Sequence, residues 1–188
     1  MPRHPARTQG AGSNDKDSDQ CAGREGLGRS RGGLSTKVHL AADLRCRPIS
    51  RVTSPGQRND ALFFEPVMAG IRIQRLGPGR PRTRPDRVLA DKAYSSRAIH
   101  SHLRRRGIKT TIPVPADQQA HRARCGSKGG RPPKFDPEHY KQRNVVERTI
   151  NKLRQFHAVA TRYDKRKYTY QGTIDVASIR IWLQNPVS

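Results

Sequence analysis

The sequence predicts an α/β fold. Three observations predict it. Residues 36–53 hold two short strand-like runs around a polar Asp-Leu-Arg-Cys-Arg-Pro segment, the pattern of an antiparallel hairpin. Residues 87–114 read strand, helix, strand, so the two strands should be parallel and joined by a right-handed crossover. Residues 137–156 and 173–183 carry apolar side chains at helical spacing.

Residues 1–27 are rich in Gly, Ser, Asp, Arg and Pro and nearly lack apolar residues. They cannot bury enough surface to offset ordering, so a disordered polar tail is expected, with Asp15, Asp17 and Asp19 as solvated charges. Gly28 to Gly33 reads as a basic, glycine-rich approach to phosphate or as a flexible linker. Thr36–Ala42 and Ile49–Thr53 are the hairpin strands, and Asp43 is a turn residue rather than a catalytic acid. Asn59 or Asp60 should cap a helix carrying Phe63, Phe64, Val67, Met68 and Ile71 as core. Leu76 to Pro85 is a Gly/Pro/Arg loop. Arg87–Asp91 is a short strand ending in a carboxylate, and Ser95 or Ser96 starts a helix that Gly107 closes. Ile108–Val114 is the next strand, and Ala116–Phe135 reads as a cationic loop insertion. The last helix, near Thr173–Leu183, should bury Ile174, Ala177, Ile181 and Trp182.

Charge bounds the partner. Lys and Arg number 38 against 15 acids among 188 residues, a net charge of +23 with pI near 11.3. That balance runs through the structured segments and points to a polyanion. Aromatics at 5% argue against single-strand binding on stacking platforms. Cys21, Cys46 and Cys125 lack zinc-ligand spacing or a disulfide framework, so reduced thiols are expected. No apolar run is long enough for a membrane span and no signal-peptide core is present. A soluble, cytoplasmic protein is the expectation.

The stretch Tyr140-Lys-Gln-Arg143-Asn-Val-Val-Glu147, continuing to Arg154, reads as one helix. At ~100° per residue Tyr140, Arg143, Glu147 and Arg154 share one stripe, while Val145, Val146, Leu153 and Phe156 form another. One carboxylate among guanidiniums on an apolar-backed helix suggests a place where metal and phosphate meet. On composition alone a solvated helix with chance ion pairs is the favoured reading, because a chain this basic produces many such pairs. The spacing Tyr-x2-Arg-x3-Glu-x6-Lys/Arg resembles the signature helix of DDE-type insertion-sequence transposases. Gly28–Gly33, Asp91-Lys92-Ala93-Tyr94 and Ala160–Lys165 match further motifs in order.

The resemblance implies a ribonuclease H-like mixed sheet with flanking helices. It implies DNA transposition by two-metal phosphoryl transfer, with Mg2+ (or Mn2+) as cofactor. Asp91 and Glu147 correspond to the second and third metal-binding acids. DNA contacts are implied for Tyr140, Arg143 and Arg154, and expected for Lys92, Arg162, Lys165, Arg131 and Lys134. The partners would be double-stranded DNA, at transposon ends and target, and a second copy in a synaptic homodimer. A bacterial, nucleoid-associated location follows. The family's first acid, on a first central strand, has no match upstream of Gly28, so residues 28–188 are expected to be a C-terminal portion of the catalytic domain. Without that strand, poor stability and catalytic silence are expected. The alternatives are an inactive DNA-binding fragment that modulates a full-length transposase, or an unrelated RNA-binding protein.

Overall fold

The computed structural model describes residues 25–30 and 33–184; Asp15, Asp17, Asp19 and Cys21 lie outside them. The strands are β1 (Gly28–Ser30), β2 (Gly33–Ala42), β3 (Pro48–Pro55), β4 (Arg87–Leu89) and β5 (Lys109–Thr111). The described helices are α1 (Phe64–Ala69), α2 (Arg97–Arg105), α3 (Ala116–Arg124), α4 (Pro137–Lys141), α5 (Asn144–Arg154), α6 (His157–Thr161) and α7 (Lys167–Gln184). The described residues fall into two compact units, one made of those between 25 and 70 together with 145–184, the other Ile71–Asn144. The α/β class is as expected, but the described strands form one antiparallel sheet of three and one parallel sheet of two rather than a single mixed sheet.

In the first unit β1, β2 and β3 are antiparallel in that order. The expected hairpin is present: Val38 faces Thr53 and Leu40 faces Arg51 across the pair. Its turn is built by Asp43, whose Oδ1 accepts the amides of Arg45 at 3.0 Å and Arg47 at 2.9 Å. The turn reading of Asp43 therefore holds. The linker reading of Gly28 does not, because Gly28–Ser30 pairs with Gly33–Ser35 as an edge strand. Glycine suits position 28, where a Cβ would lie 2.7 Å from the Pro55 Cβ on the rigid proline ring. Gly26 and Leu27, assigned to the tail by composition, are buried.

Side chains alternate across the β2–β3 hairpin, as strand geometry demands. Val38 and Leu40 pack on a cluster of Leu153, Val159, Tyr170, Ile174, Ala177 and Ile181. His39 stacks instead on Phe63, ring centroids 4.6 Å apart, and Lys37 reaches Asp60 at 2.7 Å. Ser50 Oγ donates to the Val67 carbonyl at 2.7 Å on that same second face. Helices thus cover both faces of the hairpin. The α7 stripe is Tyr170, Ile174, Ala177 and Ile181, and each fully buried aliphatic side chain contributes about 1.5–3 kcal/mol. Trp182, expected in the core, is half-buried and donates its indole N–H to the Pro48 carbonyl at 2.7 Å.

In the second unit β4 and β5 are parallel, with Val88 opposite Thr110. The α2 crossover joins them; Ser96 Oγ accepts the Ile99 amide at 3.2 Å, and Ile99 and Leu103 are buried. Gly107, at φ 64°, ends it in the left-handed region. The β-α-β unit is as expected.

Two expectations fail here. Residues 116–135 are not one loop, because Ala116–Arg124 is helical and Gly126–Gly129 forms a 3-10 turn. Two side-chain bonds anchor this segment, one distant in sequence and one local. Gln118 Nε2 donates to the Ser95 carbonyl at 3.1 Å, and Arg122 Nε donates to the Gly129 carbonyl at 3.2 Å. The signature segment is not one continuous helix either. It breaks at Gln142–Arg143, whose amides donate three residues back, to His139 at 3.1 Å and Tyr140 at 2.9 Å. That tightened turn ends α4, so the helical wheel cannot place Tyr140 and Arg143 on one stripe with Glu147 and Arg154.

Candidate active site

Asp91 follows β4 at its carboxyl end, where open α/β sheets bind ligands. It is also the N-cap of a 3-10 turn, and its Oδ1 accepts the Lys92 amide at 2.7 Å. Its other oxygen lies 3.9 Å from the Arg143 guanidinium. The Asp91 side chain is 46% exposed, so lone pairs remain available to a cation or to solvent. It lies in an open, shallow depression of the surface lined by Lys92, Val114, Asp117 and Gln119. Two residues from separate predicted motifs, Asp91 and Arg143, are therefore brought together within one unit.

A second arrangement surrounds α4. Asp136 caps the helix, accepting the His139 amide at 3.1 Å and the His139 ring nitrogen at 2.6 Å. Arg87 stands 3.9 Å away. The His139 backbone hydrogen bond, with the ring and Arg87 helping, holds the Asp136 carboxyl below the usual range. Tyr140 lies against Phe135, ring centroids 5.3 Å apart. Asp136 ahead of Pro137 is readable from the sequence as an N-cap, whereas its contact with the His139 ring is not.

Glu147 is exposed in the first turn of α5, where the helix dipole favours an anion. Arg154 is exposed in the last turn, seven residues on and so on the same side of α5. The opposite side buries Val145, Thr149 and Leu153. Lys92, Arg131, Lys134 and Lys165 are exposed cations. Among the described residues no group of three or more His, Cys, Asp or Glu side chains could hold a metal.

Arg162 is a correction. Expected on the DNA surface, it is fully buried at 0% exposure. Its guanidinium lies 4.8 Å from the Tyr170 ring centroid and donates to the carbonyls of Gly26, at 3.5 Å, and Glu25. Burial, opposed by Tyr170 and nearby Asp164, lowers its proton affinity, and burial pushes the Tyr170 phenol up to about 12. Sequence cannot distinguish such a cation from its exposed neighbours. The only hint is Tyr170, a large apolar-bodied partner at a core position of α7.

A family model described as the Transposase DDE domain matches residues 4–170, a span that begins inside the segment expected as tail. A protein of Brucella ovis, provisionally named a transposase for insertion sequence element IS6501, is 26% identical over 151 residues. That match covers 80% of this chain and 100% of the relative. A protein of Burkholderia cepacia, provisionally named a transposase for insertion sequence element IS402, is 32% identical over 131 residues, 70% of this chain and 54% of the relative. The chain thus spans about half the length of the second relative and all of the first. No solved structure matches significantly.

Proposed function

The chain belongs to the DDE transposase family, and from that premise we propose that it cleaves and joins DNA strands at the ends of an insertion sequence. The observation that carries this reading is Asp91 at the carboxyl end of a parallel strand with Arg143 beside it. A carboxylate there suits a hard divalent cation, and the neighbouring guanidinium suits the phosphate such a cation would share. Asp91 and Glu147 would hold Mg2+, or Mn2+ in its place. When bound, that cation would activate the attacking oxygen and neutralise charge on the leaving one.

The chain's own residues orient the DNA. Arg143 grips a phosphate next to Asp91, and Lys92, Tyr140, Arg154, Arg131, Lys134 and Lys165 hold the backbone on either side. A ribonuclease H-like assembly, and a pair of copies bringing two DNA ends together, belong to the same proposal, with action at the nucleoid. The test is cleavage of a labelled duplex bearing an element end. Asp91→Asn and Glu147→Gln should each lower the rate by more than about a hundredfold while DNA affinity is kept. Unaltered cleavage in both variants would refute the assignment.

A second reading rests on the sequence, in which no acid upstream of Gly28 has the context of the family's first one. In that reading the chain binds element ends without cutting and modulates an active transposase. DNA binding without cleavage by the wild-type chain, at any Mg2+ or Mn2+ level, selects it.

A further inference from the structure

Residues 71–85 hold five arginines and no acid. They fold back on themselves as an arm. Ile73 and Arg82 exchange backbone hydrogen bonds at 3.0 and 2.8 Å, an isolated antiparallel bridge that closes an eight-residue tip. The base of this arm is stapled. Arg82 bonds Asp86 at 2.6 Å and the Arg84 carbonyl at 3.1 Å. Arg106, just past α2, donates to the Thr83 carbonyl at 2.9 Å, and Arg84 returns a bond to the Arg106 carbonyl at 3.4 Å.

The tip is different. Arg72, Arg75 and Arg80 are exposed and have no hydrogen-bond or ion-pair partner among the described residues. Between Arg75 and Arg80 runs Leu76-Gly-Pro-Gly79. Leu76 is completely exposed at 107%, an apolar side chain held in water with nothing packed on it. Gly79 sits at φ 134°, a backbone region for which glycine is suited, and the Arg75 side chain passes 3.8 Å from where its Cβ would be. The tip is therefore narrow, low in bulk, positively charged on both sides and capped by one apolar wedge.

We propose that this arm enters the DNA minor groove, with Arg75 and Arg80 in the groove and Leu76 against a base step. The inference rests on the DNA-binding reading above and adds to it which groove is read and which sequences are favoured. Desolvating a guanidinium is cheapest where the groove is narrow and its potential most negative, which is A·T-rich DNA. Apolar wedges between base steps kink the duplex toward the major groove. Simple phosphate contact would use the arginines but leave Leu76 without a role.

The test compares binding of the full chain to three duplexes of equal length: A·T-rich, G·C-rich, and the G·C sequence with inosine replacing guanine. Inosine removes the amino group from the minor groove and leaves the major-groove edge as in G·C. The wild type should prefer the A·T and inosine duplexes to G·C by roughly tenfold. The double variant Arg75→Ala/Arg80→Ala should lose that preference, and Leu76→Ala should reduce the bend seen by end-to-end energy transfer. Arg131→Ala should weaken all three duplexes alike. Because the tip residues have no partners, thermal melts of the variants should match wild type. Equal wild-type affinity for inosine and G·C duplexes, or uniform weakening in the double variant, would overturn the minor-groove arm and leave the DNA-binding reading standing. Failure of the wild type to bind any duplex would overturn both.

Discussion

Arg162→Ala should unfold the first unit far more readily and leave the DNA contacts of the folded protein intact. The magnitude follows from what the side chain does. It supplies charged hydrogen bonds to the Gly26 and Glu25 carbonyls, each a type worth about 1.5–3 kcal/mol when its partner is buried. It lies over the Tyr170 ring, a desolvated cation–π contact worth up to about 2 kcal/mol. Against these stands the cost of keeping a guanidinium dry, which the alanine variant no longer bears. Gly26 keeps a second donor, Thr36 Oγ1 at 2.9 Å, so its carbonyl is not left bare. A net loss of about 3 kcal/mol is expected, a large part of a typical stability of ~5–15 kcal/mol. With a urea slope near ~2 kcal/mol per molar, the midpoint falls by about 1.5 M. The control is Arg154→Ala, an exposed position that should melt like wild type and bind DNA more weakly. An Arg162→Ala protein with an unchanged midpoint and weakened DNA binding would return Arg162 to the DNA surface and refute this account.

Other outcomes can be checked alongside. Burial pushes His39 below its ordinary value, with Asp60 raising and Lys37 lowering it further, and burial with Arg104 and Arg122 does the same to His100. Both therefore fold neutral, and their contribution is present above about pH 6.5 and lost as pH falls toward their lowered values. Melts should drop between pH 7.5 and 5.5, and His39→Gln should flatten that dependence; an identical slope in the variant would exclude His39. Tyr170→Phe should cost about 1 kcal/mol by removing the 3.0 Å bond to the Val159 carbonyl, read from the same urea midpoint. Arg143→Ala and Arg154→Ala should each flatten the log–log salt dependence of duplex binding by about one unit, and unchanged slopes would remove them from the interface. If Asp91 and Glu147 act as one metal-binding pair, the double variant Asp91→Asn/Glu147→Gln should cleave no more slowly than either single variant.

The local chemistry of this chain is written in its sequence. The Asp43 turn, the β2–β3 hairpin, the Ser96 cap, the Gly107 stop and the parallel β4–β5 pair were all readable, because each depends on residues within a few positions of one another or on strand alternation. Family membership was readable for the same reason, since Asp91-Lys-Ala-Tyr94 and the Tyr140 to Arg154 spacing are linear patterns. Other features needed the tertiary structure. Whether residues 137–156 form one helix is decided by the tightened turn at Gln142–Arg143, and a wheel drawn through position 142 assumes the answer. Whether residues 116–124 order depends on Gln118 finding the Ser95 carbonyl, 23 positions away in sequence. The fate of a cation depends most of all on context. Arg162 and Arg154 are the same residue in equally basic surroundings, yet one is enclosed by Tyr170 and the carbonyls of residues 25 and 26 while the other meets solvent. The burial of a cation is set by long-range packing, and composition and spacing do not separate Arg162 from its exposed neighbours.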